Sequence, residues 1–274
     1  MNRIQQLFQN KPENILNIYF TAGFPHLNDT EHIILALERG GVDLIEIGMP
    51  YSDPLADGPT IQQSGDVALA NGMTLQLLFQ QIVAVRQKTE IPLILMGYFN
   101  QVMQYGEERF FRQCAEAGID GLILPDMPLH VYEEQFQNLF QELNLIISFL
   151  ITPQTPEARI QKIDDLSRGF IYMVSRASIT GAKDGISEAQ LAYFNRINAM
   201  QLQNPRLIGF GISNQETFST ACEYASGAII GSAFIKALND TGTGQRPASA
   251  TQVLEQATIE FVHRIRGTNQ LQTV

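Results

Sequence analysis

Short apolar runs alternate with longer segments of helical period along the chain. Residues 74–88 place Leu75, Leu78, Phe79, Ile82 and Val85 on one face of a predicted helix. Near-continuous apolar strands that alternate with helices predict a parallel sheet covered by helices on both sides. Eight runs have the length and composition of such strands: residues 15–23, 42–48, 91–98, 119–126, 145–152, 169–175, 206–212 and 227–233.

Eight strand-helix units in a chain of 274 residues match the size of a (β/α)8 TIM barrel. We expect one barrel domain over residues 1–274, with an extra helix at the N-terminus and a short extra helix before the last one. A doubly wound open sheet is the alternative fold. The turn after the first strand reads TAGFPHLND and lacks the GxGxxG of dinucleotide-binding sheets, which weakens that alternative.

Glycines and one amphipathic segment add local detail to this prediction. Gly41 and Gly118 each open a Gly-X-Asp triplet before a strand, which predicts left-handed caps at the ends of the preceding helices. The final segment, residues 251–266, has helical period. It is predicted to turn these side chains inward: Val253, Leu254, Ala257, Phe261, Val262 and Ile265.

Charge and composition narrow the possible partners. The formal net charge of -10 disfavours binding to nucleic acid or to an anionic membrane, while a small phosphorylated ligand stays possible because helix N-termini bind phosphate locally. Cys114 and Cys222 lie in separate predicted helices, and the four histidines are dispersed, so neither a disulfide nor a metal site is predicted. With no signal peptide or apolar span in the sequence, we expect a cytoplasmic protein.

Glu46 is the only acid in the middle of an apolar run. Burial of a lone carboxylate costs several kcal/mol, so Glu46 must be partnered or must have a raised pKa, and an acid/base role is the favoured interpretation. Asp53 and Asp57 follow in a loop whose prolines restrict the backbone. Two acids on one strand and its loop allow one to act as general acid/base while the other stabilises positive charge. No lysine lies within a strand run, which leaves a Schiff-base mechanism without a nucleophile.

Glycines follow the last three predicted strands. They occur in Thr180-Gly181, in GFGIS at residues 209–213, and in IIGSAF at residues 229–234. Glycine allows backbone amides to approach an anion closely, and the loops after strands seven and eight form the usual phosphate site of TIM barrels. This placement predicts a phosphate site there.

In chain order, FTAGFP, MPYSDPLADGPTIQ, GYFN, LPDMP, SRASITG, GFGIS and GSAFIK resemble the tryptophan synthase alpha chain family. The likeness spans essentially the whole chain, and residues 49–62 are its longest and most specific part. The resemblance implies a lyase of tryptophan biosynthesis, which cleaves indole-3-glycerol phosphate to indole and glyceraldehyde 3-phosphate by a retro-aldol step. By motif position, Glu46 would protonate the indole C3 and accept the C3′ hydroxyl proton. Asp57 would bind the indole N–H and stabilise the indoleninium-like intermediate.

The resemblance also implies the surroundings of the substrate. Phosphate would meet the amides of Gly181, Gly211, Gly231 and Ser232, with Gly209 close by. The loop at residues 175–187 would close over the substrate and carry Thr180 toward Asp57. The indole pocket would be lined by Tyr19, Met96, Ile123, Tyr172 and Phe210.

A tryptophan synthase beta chain is the implied partner, in an α2β2 heterotetramer. Pyridoxal phosphate would belong to that partner, and this chain would carry no cofactor and no metal. The implied contacts are Asp53, Pro54, Asn100, Asp126 and Pro128.

Three other interpretations remain open. The chain could be another phosphate-binding barrel isomerase, with a different acid pair, or a stand-alone lyase that releases indole. A subunit that only binds and activates a beta chain is a third possibility, although the intact Glu46, Asp57 and GFG argue against it.

Overall fold

The computed structural model describes residues 1–54, 57–175, 187–209, 211–241 and 250–268. Nine strands in these ranges form one sheet in which every pair of neighbours is parallel, in the order β5-β4-β3-β2-β1-β9-β8-β7-β6. Their bounds are β1 Ile15–Thr21, β2 Leu44–Gly48, β3 Leu93–Met96, β4 Gly121–Ile123, β5 Ile146–Ile147, β6 Leu150–Ile151, β7 Ile171–Val174, β8 Arg206–Gly209 and β9 Gly227–Ile230.

The sheet closes into a barrel because β5 and β6 are two halves of one strand. Only Ser148 and Phe149 separate them. The Ser148 amide donates to the Leu122 carbonyl of β4 (3.0 Å), and the Phe149 carbonyl accepts from the Tyr172 amide of β7 (2.9 Å). The two ends of the strand order therefore meet in one chain segment, and the barrel has eight strands, which confirms the predicted (β/α)8 fold.

Helices follow the strands around the outside of the barrel. Their bounds are α1 Arg3–Asn10, α2 Asp29–Gly40, α3 Pro59–Ala70, α4 Leu75–Arg86, α5 Phe99–Tyr105, α6 Glu107–Ala117, α7 Leu129–Val131, α8 Gln137–Glu142, α9 Glu157–Leu166, α10 Glu188–Ala199, α11 Gln215–Tyr224, α12 Ser232–Asn239 and α13 Ala250–Arg266, with a π-helical turn at Tyr132–Phe136 between α7 and α8. The first, α1, is the predicted extra N-terminal helix, and α12 is the short extra helix before the last.

Local sequence signals explain several helix ends. The side chain of Thr74 caps α4 by accepting from the Leu77 amide. Gly41 and Gly118 end α2 and α6 at φ angles of 90° and 85°, which confirms the predicted left-handed caps. Within the described ranges no single helix has the length and composition to cross a membrane, whereas α3 and α4 pass that test as a pair that is bent by 94° at its break.

The barrel interior is apolar and is closed at its N-terminal end by α1. Ile4 of α1 is fully buried, and a Cβ on Gly121 of β4 would lie 3.1 Å from its side chain. Asn2 holds this helix in place, since its side-chain Nδ2 donates to the backbone carbonyls of Asp120 and Asn144. The interior cluster comprises Ile4, Ile15, Leu44, Ile94, Ile123, Ile146, Phe170, Tyr172, Leu207 and Ile229.

One detail of the predicted inner face of α13 is wrong. Val253 is 54% exposed, whereas Thr258 is fully buried beside Leu254. The Thr258 hydroxyl donates to the Leu254 carbonyl, so it can be buried without an unsatisfied donor. The helix is thus rotated slightly from the orientation that its apolar residues alone suggested.

Close contact between β1 and β9 gives a test of the barrel geometry. A Cβ on Gly227 would lie 2.0 Å from the Ile15 carbonyl oxygen, so Gly227→Ala should force the strands apart and lower the free energy of unfolding by about 2–4 kcal/mol. Gly65→Ala is the control, because a Cβ there would meet only the Tyr51 carbonyl oxygen at 3.9 Å. That change in α3 should stabilise by up to about 1 kcal/mol. Equal urea midpoints for the two variants would contradict this packing.

Candidate active site

Glu46 lies inside the barrel, in the middle of β2. The alternation of side chains along β2 turns Leu44 and Glu46 inward, and Glu46 is 1% exposed. Its Oε2 accepts a hydrogen bond from Asn17 Nδ2 of β1 (3.0 Å). Its Oε1 is buried and has no hydrogen-bond partner among the described residues. The carboxyl group is therefore poorly solvated on one side.

Burial controls the protonation of this group. It raises the pKa of Glu46 from 4.5 to about 8, since the charged form loses its water. The hydrogen bond from Asn17 acts in the opposite direction, and the nearby charge of Asp57 adds to the increase. At neutral pH Glu46 is thus mostly protonated and can act as an acid.

Asp57 is the second carboxyl group at the site. It follows β2, and its Oδ2 accepts from the Tyr98 hydroxyl (3.1 Å). Burial raises its pKa, and the hydrogen bond from Tyr98 opposes that effect. Gln62 of α3 donates to the Asp57 carbonyl and holds the loop in place. Neither Asn17 nor Tyr98 was identified as a site residue from the sequence.

A cavity of about 840 Å³ opens at the C-terminal end of the strands and brings these groups together. Glu46 and Asp57 line it together with Tyr19 of β1, Met96 of β3 and Tyr172 of β7. Other lining residues include Ile61, Gly211, Ile212, Ser213, Asn214, Ile229, Gly231, Ser232, Lys236 and Arg264. The cavity therefore has an acidic, aromatic part and a part built from glycines and a helix N-terminus.

Two glycines make room for the tyrosines. A Cβ on Gly48 would lie 2.1 Å from the Tyr19 hydroxyl oxygen, and one on Gly209 would lie 2.3 Å from that of Tyr172. Burial raises the pKa of both phenols well above the ordinary value, so both hydroxyls stay protonated. The structure thus gives Gly209 a role in packing against Tyr172.

The glycine-rich part of the cavity has the features of an anion site. Gly211 adopts a left-handed turn with φ 84°, and Gly231 precedes Ser232, the first residue of α12. The first amides of a helix have no partner within it and favour a negative group. Lys236 and Arg264 also line the cavity. Among the described residues no cluster of three or more His, Cys, Asp or Glu could hold a metal ion.

Comparison with known proteins identifies the family of this barrel. The family model described as tryptophan synthase alpha chain matches residues 5–264. The chain belongs to this family. The tryptophan synthase alpha chain of Christiangramia forsetii is similar to it, with 59% identity over 243 residues that cover 89% of this chain and 94% of that protein.

Solved structures of tryptophan synthase alpha chains have the same fold. The subunit alpha of Legionella pneumophila matches with a TM-score of 0.84 and 29% identity, over 97% of this chain and 99% of that one. A chain of the Pyrococcus furiosus tryptophan synthase α2β2 complex matches with a TM-score of 0.82 and 33% identity, over 93% and 98% of the two chains.

The resemblance to tryptophan synthase alpha chains predicted a set of substrate contacts, and only some of these residues line the cavity. Tyr19, Met96, Tyr172, Gly211, Gly231 and Ser232 all line the cavity with the two acids. Ile123 lies in the interior cluster beneath it. Thr180, Gly181 and Phe210, with most of the loop at residues 175–187, lie outside the described residues. Their roles stay predictions.

The proposed contacts with a partner lie on the segments that follow β2, β3 and β4, and Asn100 is the second residue of α5. Asp53, Asn100, Asp126 and Pro128 are exposed, and Pro54 is half-buried. Hydrogen bonds link these segments. Asn100 Nδ2 donates to the Tyr51 hydroxyl (2.7 Å), and the Phe99 backbone amide donates to Asp126 Oδ1 (2.8 Å). These hydrogen bonds join the three segments that carry the five residues, whose role in an interface stays a prediction.

Burial of Glu46 makes the stability of the protein depend on pH in a defined way. Below pH 4.5 Glu46 is protonated in both the folded and the unfolded chain; between 4.5 and about 8 only the folded chain keeps the proton, so stability falls as pH rises. Glu46→Gln has no proton to lose. Its stability relative to the wild type should therefore increase with pH, by at most about 5 kcal/mol.

Urea unfolding at about pH 5 and about pH 9 measures this difference. Glu116→Gln provides the matched control, because Glu116 is exposed on α6. A stability difference between Glu46→Gln and the wild type that stays constant over this range would show that Glu46 is not buried in this way.

Proposed function

We propose that Glu46 and Asp57 perform in this chain the reaction of the tryptophan synthase alpha chain family. That reaction is the cleavage of indole-3-glycerol phosphate to indole and glyceraldehyde 3-phosphate in tryptophan biosynthesis. The observation that carries the proposal is the buried carboxyl group of Glu46, which shares a cavity with a second carboxyl group and with a glycine-rich helix N-terminus, and whose pKa is raised by burial to about 8. An acid, a charge-stabilising carboxylate and a phosphate site are the groups that this substrate requires.

The proton of Glu46 begins the reaction. It passes to C3 of the indole, and the positive charge that appears on the ring nitrogen is stabilised by Asp57. The ionised Glu46 then accepts the proton of the C3′ hydroxyl as the bond between C3 and C3′ breaks. The electrons of that bond restore the indole ring, the C3′ carbon becomes the aldehyde, and Glu46 is protonated again for the next turnover.

The surroundings of the two acids support these separate roles. Glu46 is enclosed in the barrel, which favours its neutral form at the start. Asp57 is half-buried, and the hydrogen bond from Tyr98 stabilises its charged form. Environments that differ in this way let two carboxyl groups act as acid and as stabilising anion at the same pH.

The residues that line the cavity support the remaining proposed contacts with the substrate. The phosphate would lie at Gly211, Gly231 and Ser232, where helix α12 begins. The indole would pack between Tyr19 and Tyr172 with Met96 beside it. Gly181, Thr180 and Phe210 would complete the site as in the family pattern.

A beta chain is the proposed partner, in an α2β2 assembly like that of Pyrococcus furiosus. The exposed residues around Asn100 and Asp126 form the proposed contact surface, and pyridoxal phosphate would be bound by the beta chain alone. We further propose that residues 1–274 act as a single domain in the cytoplasm. The single sheet, to which all nine described strands belong, supports the first part of that proposal.

Indole release from indole-3-glycerol phosphate tests the proposed function, with the purified chain alone and with a cognate beta chain. Glu46→Gln should lower kcat by about 10²–10⁴-fold, because it removes the titratable proton and preserves the volume. Asp57→Asn should also cripple turnover and leave phosphate binding intact. In the wild type, kcat/KM should fall as pH rises through about 8, since Glu46 must begin protonated. Glu116→Gln on α6 serves as the control.

Each alternative function has its own outcome in this assay. Release that rises sharply with the beta chain supports a coupled subunit, whereas high release from the chain alone supports an autonomous lyase. No release under either condition would favour a barrel isomerase or a subunit that only binds its partner. Substantial turnover by Glu46→Gln would contradict the assignment of the acid.

A further inference from the structure

Asn17 is a buried amide in an otherwise apolar part of β1. Its neighbours Ile15, Leu16 and Ile18 are all fully buried, and Asn17 itself is 0% exposed. Its Nδ2 donates to Glu46 Oε2 (3.0 Å), and its Oδ1 has no hydrogen-bond partner within the described part of the chain. Burial of an amide with one unsatisfied atom is unfavourable, so this position needs a functional explanation.

The two groups complement each other in both protonation states of Glu46. A carboxylate only accepts hydrogen bonds, whereas a protonated carboxyl group also donates one. An amide has a donor end and an acceptor end. In the orientation found here, Nδ2 serves the charged form, and a half-turn of the amide would present Oδ1 to the proton of the neutral form.

We infer that Asn17 is a positioning residue that holds Glu46 in both states of its acid/base cycle by turning its amide over. The inference rests on the proposed role of Glu46. Asn17 does not line the cavity, so it acts on the reaction through Glu46 and without contact to the substrate. After the half-turn, Oδ1 of Asn17, which has no partner among the described residues in the present orientation, would accept the proton that neutral Glu46 carries on Oε2.

Other titratable groups also face Glu46 and can affect its titration. In the described part of the chain they are Tyr19 on β1, Tyr172 on β7 and Asp57 after β2, with Tyr98 bonded to Asp57. The two tyrosines that line the cavity stay protonated, and Asp57 acts by its charge. Asn17 is the group that hydrogen-bonds Glu46 directly, so its removal should have a distinct effect.

Asn17→Leu tests the inference, because leucine fills a similar volume and makes no hydrogen bond. Asn17 binds Glu46 in both states, but its hydrogen bond to the carboxylate is the stronger one because the acceptor is charged. Loss of Asn17 therefore destabilises the charged form more, and the fall of kcat/KM at high pH should move up by about one to two pH units. The kcat should fall at least about tenfold, since the carboxylate formed in the reaction loses its donor, and KM should stay within about threefold. The substrate is indole-3-glycerol phosphate, with the beta chain present.

Asn17→Asp is the conservative variant. A protonated aspartic acid has a donor and an acceptor, so turnover should partly recover at low pH. The carboxyl group that this variant introduces beside Glu46 should still raise the pH at which kcat/KM falls. Asn204→Leu is the matched control. Asn204 lies just before β8, at the opposite end of the barrel, and its half-buried side-chain amide donates to Asp164. Its replacement should leave the pH at which kcat/KM falls unchanged.

A folded Asn17→Leu protein with unchanged kcat and an unmoved pH profile would overturn the inference. If that variant does not fold, an unmoved profile in Asn17→Asp would overturn it in the same way. Glu46→Gln measured in parallel separates the two levels of the argument. Loss of turnover in Glu46→Gln with no shift in the Asn17 variants rejects only the role of Asn17, whereas retained turnover in Glu46→Gln rejects the proposed role of Glu46 as the acid.

Discussion

A carboxyl group buried in an apolar barrel cannot gain the hydration that stabilises a carboxylate in water. This constraint determines the chemistry of the site around Glu46. The group receives one hydrogen bond, from Asn17, and lies close to the charge of Asp57. Burial outweighs the hydrogen bond, so the neutral acid is the ground state near pH 7. The same burial that costs stability thus supplies a proton donor near neutral pH.

Barrel closure places the partners of this acid. The parallel register aligns Tyr19 of β1 with Glu46 of β2, and the alternation of side chains puts Asn17 on the same inner face. Tyr172 comes from β7 on the far side, across a ring that closes through the split strand at Ser148. Because all strands are parallel, their C-terminal ends lie at one face of the barrel. The loops at that face can vary in sequence while the packed interior stays the same.

Much of this arrangement could be predicted from the sequence because parallel strands and amphipathic helices leave strong local patterns. Glu46 was identified because an acid inside an apolar run is costly. Asn17 carries a similar signal, an amide between the apolar residues Leu16 and Ile18, and was missed because an amide is less conspicuous than a charge. The contact of Tyr98 with Asp57 joins residues 41 apart and has no local signal. Val253 was misplaced because periodicity does not fix a small rotation of α13.

The chemistry of the site depends on a protonated Glu46 at neutral pH. The most direct test is a pH titration of the Glu46 carboxyl carbon by nuclear magnetic resonance in a chain labelled with carbon-13 glutamate, with Glu46→Gln to assign the signal. A midpoint near 8 is the result that the buried site predicts. A midpoint near 4.5, the ordinary value for a glutamate, would contradict the account.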